Sequence, residues 1–113
     1  MNKDFRNFQK YFKQYQQRFG LTGYQVYFKY EPIDGFASIL VTQRNMVATV
    51  KLNSNLGDKD KPHKDIKADA KHEALHLLLS RLENRAYSRF PSEDDIDESL
   101  EEVIIKLEGL ISD

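Results

Sequence analysis

The sequence predicts an α+β fold: an N-terminal helix, a small three-stranded sheet of antiparallel type, and two further helices. Three observations predict it. Aromatic residues recur at helical spacing over residues 3–19, strand-like runs follow one another from residue 24 to 52, and two helix-period segments fill the chain from residue 63. No internal repeat or low-complexity linker interrupts the 113 residues, so 1–113 reads as a single domain.

Phe5, Phe8, Phe12, Tyr15 and Phe19 form one stripe of the first helix, with Lys, Arg and Gln between them and Gly20 as the stop. Residues 24–30 are rich in aromatic types and read as a strand, ended by the Pro32 and Asp34-Gly35 turn signals. Residues 36–43 and 46–52 read as two more strands joined by a tight hairpin at Arg44-Asn45. The polar stretch from Asn53 to Pro62 is a loop. A long helix follows over about residues 63–85, opened by Pro62, with Ala68, Leu75, Leu79 and Leu82 as its core face. Pro91 breaks the chain before a last helix, which starts at Ser92-Glu93-Asp94-Asp95 with its acids where the helix dipole favours them. Ile96, Leu100, Val103, Ile104, Leu107 and Ile111 supply the core stripe of that helix.

Composition excludes several function classes. Lys and Arg total 17 against 18 acids, so bulk charge singles out neither nucleic acid nor membrane as a partner. No apolar run is long enough to span a bilayer, and Met1 leads into a polar, aromatic segment rather than a signal peptide. The absence of cysteine removes disulfides, thiol catalysis and thiolate zinc sites, and together these features point to the cytoplasm. Charge is unevenly spread: residues 92–113 hold nine acids and one lysine (−8), leaving +7 on residues 1–91. Residues 1–18 carry five bases and one acid, but their interleaved aromatics are accounted for by the core stripe, which argues against a nucleic-acid surface.

The sharpest signal is His72-Glu73-Ala74-Leu75-His76, a His-Glu-x-x-His motif in the middle of the longest helix. Shuffling this composition would produce the motif only roughly 0.004 times per chain. Four residues apart, the two histidines share one helix face and can bind a single metal ion. Imidazole suits zinc, whose charge brings the pKa of bound water toward ~7. Glu73, one step round the helix, is placed to take that water's proton as general base. The competing reading is a pair of surface histidines on an amphipathic helix.

A tetrahedral catalytic site needs a third protein ligand. His63 stands nine residues before His72, about 13 Å along the axis at 1.5 Å per residue, and is set aside. The third ligand is then expected to be a carboxylate of the last helix. With the stripe through Leu100, Val103, Ile104 and Leu107 facing the core, Glu101 falls on its flank, with Asp97 as runner-up, while Glu98 and Glu102 point to solvent.

The motif helix, followed 25 residues after His76 by Glu101-Glu102-Val103-Ile104 on a second helix, resembles the gluzincin branch of zinc metallopeptidases. More narrowly, it is similar to the minimal metallopeptidases found in phages and mobile elements. The run Phe19-Gly20-Leu21-Thr22-Gly23-Tyr24-Gln25-Val26 resembles the entry to the first strand in those phage proteins. The resemblance implies a zincin-like fold with zinc held by His72, His76 and a glutamate, and Glu73 as general base. It implies an extended peptide lying along an edge strand above the metal, and the host cytoplasm where the chain is phage-encoded. It also implies a Tyr or His near the substrate carbonyl oxygen. Tyr87, placed in the loop between the last two helices, is the one nominee.

The expectation is therefore a zinc-dependent peptidase acting on a peptide or protein. The alternative is a non-catalytic zinc-binding or protein-interaction module of the same fold. Neither a membrane partner nor a particular oligomeric state is implied.

Overall fold

A computed structural model describes residues 2–88 and 90–110. Helix α1 (Lys3–Arg18) leads into strands β1 (Gln25–Glu31), β2 (Ala37–Thr42) and β3 (Val47–Asn53), and helices α2 (Ile66–Tyr87) and α3 (Glu93–Glu108) complete the chain order. The architecture is α+β, three helices and one small sheet, with α3 packed against α2. No helix among the described residues is long and apolar enough to cross a membrane.

The aromatic stripe of α1 goes where its spacing sends it. Phe8 and Phe12 are fully buried, and both meet Phe28 of β1 edge-on, with ring centroids 6.4 and 5.6 Å away. Asn2 caps the helix, its Oδ1 accepting from the Phe5 N–H at 3.1 Å. At the other end Gly20 adopts φ +72°, a left-handed turn that favours glycine. The Gln16 amide then donates to the Leu21 and Tyr24 carbonyls, fixing where β1 begins.

The sheet departs from the expected antiparallel type. Strand order is β1-β3-β2: β2 pairs with β3 antiparallel as a hairpin should, but β1 pairs with β3 in parallel. The sheet is therefore mixed, with β3 central and β2 an edge. The cause lies in residues 32–36, which carry the chain across the end of β3 instead of turning it back beside β1. Asn53, the buried last residue of β3, holds that crossing in place. Its Oδ1 accepts from the Ile33 and Asn55 N–H groups, and its Nδ2 donates to the Gly35 carbonyl at 2.7 Å. The β2–β3 turn is also longer than a two-residue hairpin. It is a 3-10 turn over Gln43–Asn45 followed by Met46 at φ 52°.

Ala48, Val50 and Leu52 of β3 face α1 and α2, and with Phe8, Phe12, Ala70, Ala74, Leu77 and Leu78 they make the core. The expected core face of α2 is corrected here. Leu75 and Leu79 are exposed, and the buried side is the one through Ala70, Ala74 and Leu77. Small residues allow α2 to approach α1 and the sheet closely, so alanines take positions that a hydrophobicity count gives to leucine. Pro62 sits in a separate 3-10 turn (Lys61–His63), and α2 starts at Ile66 with the Asp65 carboxylate accepting from the Ala68 N–H.

Helix α3 starts where expected, with Ser92 and Asp95 closing a capping box. The bonds from Ser92 hold the Asp95 carboxyl below its ordinary value. Its phase is a second correction. Ser99 and Val103 are buried, whereas Ile96, Leu100, Ile104 and Leu107 are exposed; Ile111 lies outside the described residues. The helix is rolled by roughly a quarter turn from the expected face. Arg81 of α2 sets the roll. It donates to Glu102 Oε2 at 2.7 Å and to Glu98 Oε1 at 2.5 Å, while Lys106 reaches the Gly20 carbonyl at 2.7 Å. Glu102 is thus half-buried against Arg81 rather than turned to solvent, whereas Glu98 reaches Arg81 but stays exposed, as its spacing predicts.

Asn53→Ala leaves three backbone groups of the crossing without their partner. We expect a loss of about 2 kcal/mol in unfolding free energy, read by urea denaturation. Asn53→Asp, which keeps the acceptor but loses the Gly35 donor, should fall between that variant and wild type.

Candidate metal centre

Because α2 buries Ala70, Ala74 and Leu77, the neighbouring positions are fixed by 100° per residue. Glu73 lies on the edge of the buried side and is only 5% exposed, while His72 and His76 emerge at the rim, both exposed. Their Nε2 atoms are 3.2 Å apart, and the rings are steeply tilted at 79° with centroids 4.8 Å apart. Two ligands at ~2.0–2.1 Å from a tetrahedral zinc are themselves about 3.3 Å apart. The two nitrogens already stand at that separation, so this half of the donor set fits zinc. Without an ion, the same approach requires one ring to carry its proton on Nε2 and the other to be bare there.

Burial raises the Glu73 carboxyl above its ordinary value, and Asp69, one turn earlier, pushes in the same direction. His76 and His72 oppose the rise. A carboxylate in these surroundings is a stronger proton acceptor than one in water. The His72–Glu73–His76 group lines a cleft of about 560 Å³ between α2 and the edge strand β2. Its opposite wall is the backbone and side chains of Ala37 to Val41. The edge strand β2 and the imidazole pair therefore line the same cleft.

The structure does not bring the expected third ligand to this site. Glu101 and Asp97 are exposed, and Glu101 lines a different groove, with Arg81, Glu98 and Glu102. Among the described residues, no group of three His, Asp or Glu side chains could hold a metal ion. The reason is angular. Arg81, where α3 docks, is roughly 140–180° round α2 from His76 and His72, so α3 covers the side of α2 away from the imidazoles. Tyr87 is also relocated. It is the last residue of α2, 83% exposed, and it lines the far end of the cleft. Eleven residues separate it from His76, about 16 Å along the axis at 1.5 Å per residue.

Three cleft residues escaped the sequence reading. Gln43 donates to Ser80 Oγ at 2.6 Å and accepts from the Tyr24 hydroxyl at 3.0 Å, and Ser80 donates to the Leu77 carbonyl. This chain ties the start of β1 and the end of β2 to α2 one turn beyond His76. Glu83 lies on the same cleft wall, one turn further on. Ser80 and Glu83, four and seven residues after His76, carry a helical-spacing signal that was readable; Gln43 carries none, because its place depends on the β2–β3 turn.

Comparison of the chain with protein-family models, curated proteins and solved structures gives no match.

Glu102→Ala removes a half-buried partner of Arg81 and should cost about 1 kcal/mol of stability, a value typical of a partly shielded ion pair. Glu101→Ala should stay within about 0.5 kcal/mol of wild type in the same thermal melt, as an exposed substitution does. The opposite ranking would mean that α3 is rolled as its apolar pattern suggests.

Proposed function

We propose that the chain is a zinc-dependent peptidase with a zincin-like site, in which His72 and His76 hold the metal and Glu73 is the general base. The observation that carries this reading is the 3.2 Å separation of the two Nε2 atoms beside a buried carboxylate, at the wall of an open cleft. Zinc held there supplies Lewis acidity toward a carbonyl oxygen and toward water. The chain's own groups do the rest. Backbone groups along the free edge of β2 pair with an extended peptide and hold its scissile bond over the imidazoles. Glu73 accepts a proton from the attacking water and passes it to the amide nitrogen as the C–N bond breaks. One water is consumed, and a carboxylate and an amine leave.

A second reading has one observation in its favour: among the described residues, two donor side chains and no third gather at the site. On that reading the chain is a zinc-binding interaction module without turnover.

The two readings part on three variants. His72→Ala and His76→Ala should each lose most bound zinc, measured by metal analysis of purified protein and by titration calorimetry. Glu73→Gln should keep zinc content and melting temperature near wild type while hydrolysis of a peptide library drops by about 10²-fold or more. Wild-type protein that takes up zinc no more tightly than a surface histidine pair would refute both readings. A Gln variant with undiminished turnover would move the chemistry elsewhere.

A further inference from the structure

The cleft beside the imidazoles has a far end that the proposed chemistry leaves unused. Strand β2 runs alongside α2 in the same direction. Phe36, just before the strand, shares a cavity with Ile66 and Asp69, and Gln43, just after it, bonds Ser80. Glu83 and Tyr87 follow Ser80 by about 4.5 and 10.5 Å along the axis, so they stand beyond the end of β2. Counted from His76 at 100° per residue, Glu83 falls at about −20° and Tyr87 at about +20°, which puts both on the imidazole face of the helix. Both line the cleft, together with Asn84. The Tyr87 ring is almost wholly exposed, and Glu83 is exposed and forms no ion pair among the described residues.

We propose that this end of the cleft takes a basic side chain, so that the peptide this site accepts carries an Arg or Lys on the side that leaves β2 past Thr42. The inference rests on the reading above, in which a peptide lies along β2. Charge selects the side chain. Two carboxyl groups, those of Glu73 and Glu83, line the cleft, and no Lys or Arg does, although the chain carries 17 of them. Arg81 and Arg85, each two residues from Glu83, lie about 160° round the helix from it and line a different groove. Glu73 serves the attacking water in that reading, so Glu83 is the carboxylate left to meet a charge on the peptide. Beside the exposed Tyr87 ring it offers a guanidinium both an ion pair and an aromatic face. Glu83 follows His76 by seven residues, about 10.5 Å along the axis, which three residues of extended chain span at about 3.3 Å each. The basic residue therefore belongs three or four positions from the scissile bond.

The test is peptide binding to the full chain carrying Glu73→Gln, in zinc-containing buffer at low salt, read by fluorescence anisotropy. The probes are labelled peptides of alanine and serine with a single Arg, Gln or Glu. The Arg peptide should bind about fivefold more tightly than its Gln counterpart, and the Glu peptide more weakly than either. Adding Glu83→Gln should bring the Arg and Gln peptides within about twofold of each other, and Glu83→Lys should reverse the order in favour of Glu. Glu108→Gln removes the same charge from the end of α3, outside the cleft, and should leave the preference intact. Unchanged melting temperatures would show that the fold is kept. In a wild-type digest of the Arg peptides, cuts should fall three or four residues from the Arg. Peptides that do not bind, that show no preference for Arg, or whose preference survives both Glu83 variants overturn the proposal. Failure of the peptidase reading shows separately, as wild-type protein without zinc uptake or turnover that still prefers the Arg peptide through Glu83.

Discussion

The structure depends on the rotation of α2 about its own axis. Ala70, Ala74 and Leu77 are pressed against α1 and the central strand, and every other position on the helix follows from that contact. Glu73 is carried to the edge of the core, where it loses water. His72 and His76 stay in solvent at the rim, and Arg81 is turned away toward α3. A roll of one residue would either bury both histidines along with the glutamate or leave all three in solvent. The alanines that hold this rotation are therefore as necessary to the site as the motif itself, although they carry no chemistry.

The sheet supplies the second wall, and its topology decides which strand that is. With β3 in the centre and β1 paired to it in parallel, β2 is left as the free edge facing the imidazoles. An antiparallel sheet in chain order would have placed β2 in the middle, with no unpaired backbone on the cleft. The buried amide of Asn53 is thus connected to the candidate site, although it lines a different cavity at the opposite end of α2. It holds the crossing that keeps β2 outermost.

What could be read in the sequence divides along the same lines. The aromatic stripe of α1, the β2–β3 pairing, the motif helix and the Ser92 cap depend on local spacing, and the structure contains them. The parallel partner of β1 was not legible, because strand propensity does not say on which side a chain will cross, and a single asparagine settles it. The faces of α2 and α3 were misassigned for a related reason. Ala70, Ala74 and Ser99 occupy close contacts where size matters more than hydrophobicity. Ser99 also satisfies its own hydroxyl on the Asp95 carbonyl, so it can be buried without cost to a polar group.

That misassignment has a further meaning. Periodicity in a sequence records every burial a helix undergoes, whether within the chain or against another molecule, and cannot separate the two. On α2 and α3 the strongest apolar stripes lie on the side that the chain's own core leaves uncovered. The same geometry accounts for the failure of Glu101 as a ligand within the chain. The roll that docks Ser99 and Val103 on α2 turns Asp97 and Glu101 outward, away from the imidazoles.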